Sequence, residues 1–191
     1  VGRKFSIRIP FGCEGPQVRA AGAQIYYELD PTARSIRLVA RPAGWSQLPL
    51  IQALPAGDRP ENVEGFWLPR PWTTADTCPP SRNRPPAASP TPPASPTLGL
   101  ASLFEASASR VGQRRDRPYE HVLKAPDDAA LAPARGFELR LEGRVTGFPG
   151  GQAVQCWSET PDHRPICLLA VDFERVAFER ADGTVISEWK D

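Results

Sequence analysis

Hydrophobic and polar residues alternate along much of the chain. KFSIRIPF at 4–11 sets Phe5, Ile7, Ile9 and Phe11 against polar or basic neighbours, the period of two that a half-buried β-strand requires. AQIYYELD (23–30) and SIRLVARP (35–42) read as two more strands, joined by Asp30-Pro31-Thr32-Ala33. That tetrad is turn chemistry: proline presets φ, and aspartate bonds the backbone ahead of it. SQLPLIQAL (46–54) is apolar but broken by Pro49, which predicts a loop or a short helical turn. VEGFWLPRPW (63–72) predicts a short edge strand stopped by Pro69 and Pro71.

The later part of the chain repeats the pattern. GFELRLEGRVTGF (136–148) alternates through Phe137, Leu139, Leu141 and Val145. QAVQCW alternates, whereas ICLLAV is a continuous apolar run. In FERVAFERADGTVISEW (173–189), Asp182-Gly183 is a two-residue hairpin signal. Val171 and Phe173 share one parity and Val176 and Phe178 the other, so a bulge near Glu174-Arg175 is expected. One stretch reads differently. Ser102 and Glu105 have capping-box spacing, and Leu100, Leu103, Phe104, Ser107 and Val111 fall at helical spacing, predicting a short helix over 102–112. Short strands, tight turns and little helix predict a mainly β fold. The expected form is an antiparallel β-sandwich or small barrel in two lobes, with at most one or two short helices.

Composition divides the chain. PPSRNRPPAASPTPPASPT (79–97) holds proline, alanine, serine and threonine and cannot build a core, so it reads as a linker or surface strap. The expected organisation is a β-rich lobe at 1–78, the strap at 79–97, and a second β-rich lobe with one short helix at 98–191. Either half alone would be small, which favours one compact unit. Twenty-three prolines, cations that are almost all arginine, and no methionine suggest a GC-rich bacterial genome and a chain that is either a mature product or a cut piece. No run of 18 apolar residues occurs, so no membrane span is expected.

The four cysteines change the picture most. In QCWSETPDHRPIC (155–167), opposing Cys156 to Cys167 on a hairpin pairs Trp157 with Ile166 and puts Pro161 and Asp162 at the tip. Directly opposed residues come close enough for a disulfide. Proline cannot take the positive φ of a tight hairpin turn, so a wider loop or a bulge is expected there, with room for the register to slip by one residue. The remaining pair is Cys13 with Cys78. Two bridges imply an oxidising compartment, periplasmic or extracellular. Metal binding is not expected: His163 is the only imidazole near Cys156 and Cys167, and the paired ligand spacing of structural zinc is missing. Nor does the chain contain C-x-x-C.

Candidate chemistry is sparse. A net charge of +1 gives no field to draw nucleic acid, and no nucleic-acid partner is expected. The basic run Arg110, Arg114, Arg115, Arg117 contains Asp116 and reads as a solvated helix end. No G-x-S-x-G and no phosphate-binding loop occurs, so no catalytic residues and no cofactor are assigned. The carboxylate pairs are Asp127-Asp128, Glu28 with Asp30, and Asp172 with Glu174; with His163 they are the hydrolase candidates. The candidate binding set is aromatic: Trp45, Phe66, Trp67, Arg70 and Trp72, where proline-stiffened tryptophans could stack on a sugar or anchor a protein. The expected function is a non-catalytic exported β-domain, a protein-binding or structural subunit of a bacterial cell-envelope assembly. A carbohydrate-binding module with a polysaccharide partner is the alternative, and a hydrolase the second.

Overall fold

A computed structural model describes residues 1–13, 15–16, 23–69, 78, 97–106, 111–124 and 136–190. Two sheets pack face to face as a β-sandwich. The smaller sheet is antiparallel and has the order β2-β3-β7, from β2 (Ile25–Asp30), β3 (Ser35–Ala40) and β7 (Tyr119–Lys124). The larger has eight strands. Its spine is β10 (Ile166–Arg180), 15 residues long. Strand pairing crosses the proline-rich boundary in both sheets: β1 (Lys4–Phe11) pairs with β8 (Phe137–Val145), and β3 with β7.

The spine changes neighbours halfway. Its first part, Ile166–Ala170, lies between β9 (Val154–Trp157) and β6 (Leu98–Phe104). Beyond β6 come β5 (Asn62–Trp67) and the two-residue β4 (Ala43–Gly44). Its second part, Val171–Arg180, lies between β8 and β11 (Val185–Lys190), with β1 outside β8. The changeover on one edge is a hook. Thr146 N–H bonds Ala170 O, the chain swings out through Phe148, and Ala170 N–H is met by Ala153 O on the return. Phe148 is buried in a second core with Trp45, Leu50, Ile51, Val63, Ala101, Leu168 and Ala170. This core lies on the face away from the small sheet and is roofed by α1 (Pro49–Gln52), the helical turn expected around Pro49.

The main core fills the space between the sheets, where Ile9, Phe11, Phe137, Leu139, Leu141, Val176 and Phe178 meet Tyr27, Ile36, Leu38, Ala40 and Tyr119. The alternation read at 4–11 and 136–148 is the inner face of β1 and β8. The parity change in β10 is the expected irregularity: Phe173 opposes Gly143, and Arg175, not Glu174, opposes Glu142.

Three expectations are corrected. Residues 102–104 are strand, not helix: β6 runs parallel to β10 and antiparallel to β5. Leu100 packs into one core and Ala101 into the other, and a strand buried on both faces mimics helical spacing. Ser102 Oγ donates to Val171 O instead of capping a helix. The strand at 62–67 is not an edge, because β4 and β6 flank it. The Asp182-Gly183 hairpin exists, but its loop has three residues. Gly183 N–H bonds Arg180 O, Arg180 N–H bonds Thr184 O, and Gly183 takes φ +84°, the geometry of a type I turn closed by a left-handed residue.

Candidate functional site

The predicted aromatic set divides by depth. Trp45 and Phe66 are core residues, 3% and 1% exposed, with no ring face open to a ligand. Phe66 packs between Tyr119 and Phe173 in the main core. Arg70 and Trp72 lie outside the described residues. Among the described members Trp67 is the one at the surface: it is half-buried, with its ring 4.6 Å from that of Trp45.

The register shows what shares the face of Trp67. Trp67 opposes Gly99, Gly99 opposes Leu168, and Leu168 opposes Gln155. Two residues further along β9 is Trp157, opposite Ile166. Alternation therefore puts Trp67, Trp157 and Ile166 on one face, and all three rim the second core. Gly99 makes the close packing possible: a Cβ there would fall 2.7 Å from Trp45, 2.8 Å from Leu168 and 3.1 Å from Trp67. Gln24 fixes the other edge of β5, accepting from Trp67 N–H at 2.9 Å and donating to Gly65 O at 3.1 Å. Trp157 and Ile166 were not in the predicted set. The available signal was the alternation of QAVQCW opposite ICLLAV, which the staple already aligned.

Both predicted disulfides are present, Cys13–Cys78 and Cys156–Cys167. The ladder pairs Cys156 with Cys167 and Trp157 with Ile166, the register derived from the sequence. Beyond it the tip is a wider loop, one of the two forms proline allowed: Ser158 Oγ lies 2.5 Å from Thr160 O and 2.9 Å from His163 O, sharing its one proton between them, and His163 N–H donates to Thr160 O. His163 is exposed in this loop, its Nδ1 2.6 Å from Thr160 Oγ1.

Three of the candidate carboxylates, Glu28, Asp30 and Glu174, have structural partners. Glu28 pairs with Arg37 at 3.6 Å, and Asp30 Oδ1 accepts from Ala33 N–H in the β2–β3 turn. Glu174 pairs with Arg144 at 2.6 Å. Asp127 and Asp128 lie outside the described residues. No group of three or more His, Cys, Asp or Glu able to hold a metal occurs among the described residues.

Glu64, which drew no attention in the sequence, is buried and accepts from the backbone N–H groups of Arg114 and Arg115. It holds a loop in which Arg115 and Asp116 take φ +48° and +64°. Arg114 lies over the Tyr119 ring at 4.3 Å and donates to Pro118 O, and Arg41 donates to Asp116 O. The described part of the basic run is therefore a pinned loop and not a helix end. Arg110 lies outside the described residues.

The outer face of β1, β8, β10 and β11 is a lattice of charge. Glu138 stands directly opposite Glu179, and both are buried. Like charges so placed repel, and arginines offset them. Arg8 Nε reaches Glu179 at 3.2 Å and Glu138 at 3.4 Å, and Arg140 and Arg175 each approach Glu179 at 3.7 Å. Burial opposes ionisation of Glu142, but hydrogen bonds from Arg175 and Arg140 outweigh it and hold that carboxyl below its usual range.

Comparison of the chain with family models, curated proteins and solved structures returns no match.

Proposed function

We propose that this protein is a non-catalytic exported β-sandwich that binds a protein of the bacterial cell envelope, in the periplasm or at the cell surface. The carrying observation is the pair of half-buried tryptophans, Trp67 and Trp157, set on one sheet face with Ile166 beside them. Half-buried tryptophan on rigid strands offers large contact area with little ordering cost, which is the character of an interface anchor. Two disulfides point to an oxidising, non-cytoplasmic compartment, and among the described residues no helix is long and apolar enough to cross a membrane. The structural engagement of Glu28, Asp30 and Glu174 weighs against a hydrolase.

Carbohydrate binding is the second reading, favoured by the same two rings. One experiment separates them. Trp67→Ala and Trp157→Ala variants are compared with wild type in crosslinked capture from a bacterial envelope fraction and in tryptophan-fluorescence titration with polysaccharides. Loss of a specific protein crosslink in both variants supports the protein-binding reading. A saturable polysaccharide titration without a crosslink replaces it with the second. Neither signal in wild type ends both.

A further inference from the structure

The two disulfides differ in what surrounds their sulfurs. Cys13 and Cys78 are both half-buried, and Cys78 Sγ is packed so closely against Gly136 that a Cβ on that residue would lie 2.9 Å from it. Cys156 is exposed, on a four-residue strand whose one partner among the described residues is β10. Backbone bonding at this bridge is also one-sided. Cys167 N–H donates to Thr97 O on the β6 side, so the Cys156–Cys167 pair is the kind whose members exchange no backbone hydrogen bonds with each other. At that rung the covalent bond is what joins β9 to β10.

We propose that Cys156–Cys167 is a thiol–disulfide exchange site, opened and closed in the folded protein by a dithiol, while Cys13–Cys78 stays shut. A thiolate of the dithiol attacks Sγ of the exposed Cys156. The new sulfur–sulfur bond forms as the Cys156–Cys167 bond breaks, and the electron pair leaves on Cys167 Sγ, which takes a proton from water. The second thiol of the reductant, deprotonated, attacks its own sulfur in the mixed disulfide and releases Cys156, which is protonated in turn. Two electrons and two protons pass to the protein, and the dithiol becomes a disulfide. Access decides which bridge reacts, because the attacking sulfur must reach the bond along its axis.

Opening removes the tie across the loop that includes Trp157, the Ser158–Pro165 tip and Ile166. The short strand β9 then keeps only the ladder on either side of the rung. Trp157 and Ile166, which rim the second core, lose their fixed register. The exchange site thus governs the order of one edge of the larger sheet and leaves the main core between the sheets untouched.

The test uses the full chain with both bridges formed. It is treated with graded dithiothreitol at mildly alkaline pH, quenched by alkylation and mapped by peptide mass spectrometry, with amide hydrogen exchange in parallel. Cys156 and Cys167 are expected to become alkylated at least about tenfold faster than Cys13 and Cys78, following sulfur access. In the same samples, amide protection falls at 154–157 and holds at 35–40 and 137–145. Tryptophan emission shifts, the shift is absent in Trp157→Phe, and oxidised dithiothreitol reverses every change. Equal rates, or faster opening of Cys13–Cys78, overturn the proposal. So does a bridge that opens while protection at 154–157 is unchanged, or one that fails to reclose.

Discussion

The two parts of β10 are one continuous strand in two environments. Ile166–Ala170 has no charged side chain and works on both faces, with Leu168 and Ala170 in the second core and Leu169 against the main one. Val171–Arg180 works on one face: Val176 and Phe178 point into the main core, while Arg175 and Glu179 join the charge lattice outside. The first part is held by apolar contact on two sides. The second is held by apolar contact on one and by compensated charge on the other. The consequence is that salt and acid should act on one end of the strand and not on the other.

The largest effects test what the ends share. Phe178→Ala is expected to cost about 3–5 kcal/mol and Leu168→Ala about 2–5 kcal/mol in urea denaturation, because each leaves a hole in a filled core. Both losses should be the same at low and high salt. Glu179→Ala separates the ends. It removes the carboxylate that Arg8, Arg140 and Arg175 approach and should cost about 1–3 kcal/mol. The loss should shrink only in part in 1 M salt, because Glu179 is buried while its arginines are partly exposed, and buried pairs are screened less than exposed ones. A salt-independent loss at Glu179 would erase the contrast.

Gly183→Ala should cost about 1 kcal/mol, because alanine is strained at positive φ. Its effect on hydrogen exchange should stay within β10–β11 and not reach β9 or β6. Last comes acid. The Glu142 carboxyl is held below its usual 4.5 in the folded protein, so its contribution is complete above the unfolded value and is lost as pH falls through the folded one. Wild type should therefore be more stable than Glu142→Gln at pH 7, and the difference should fade below about pH 4.5. A difference that does not diminish at all as pH falls below that value would deny Glu142 this role.

Period-two patterns at 4–11 and 136–148, and the Asp30-Pro31-Thr32-Ala33 turn between 23–30 and 35–42, were enough to place four strands, because apolar positions alternate with polar or charged ones in the first two and turn chemistry delimits the others. The Cys156–Cys167 register was legible for a related reason: the bridge, the turn residues and the flanking pattern all pointed to one alignment. β6 was misread where that information ends, since LGLASLF is covered on both faces and carries no polar rhythm. The candidate site was half legible. A run of aromatics does not say which ring faces out, and Trp45 and Phe66 turned inward under neighbours far away in sequence. Trp157 joined Trp67 only through Gly99 and Leu168 on two intervening strands. Glu64 and the Glu138–Glu179 pair were hidden for the same reason, as their partners are assembled by the fold.

The partnering of β1 has a kinetic consequence. Lys4 meets Arg144 and Phe11 meets Phe137, so most of the polypeptide lies between the first strand and its only neighbour among the described residues. Closing such distant pairs raises contact order and slows folding. β1 must wait, unpaired, until β8, far downstream, has been made and has found the spine.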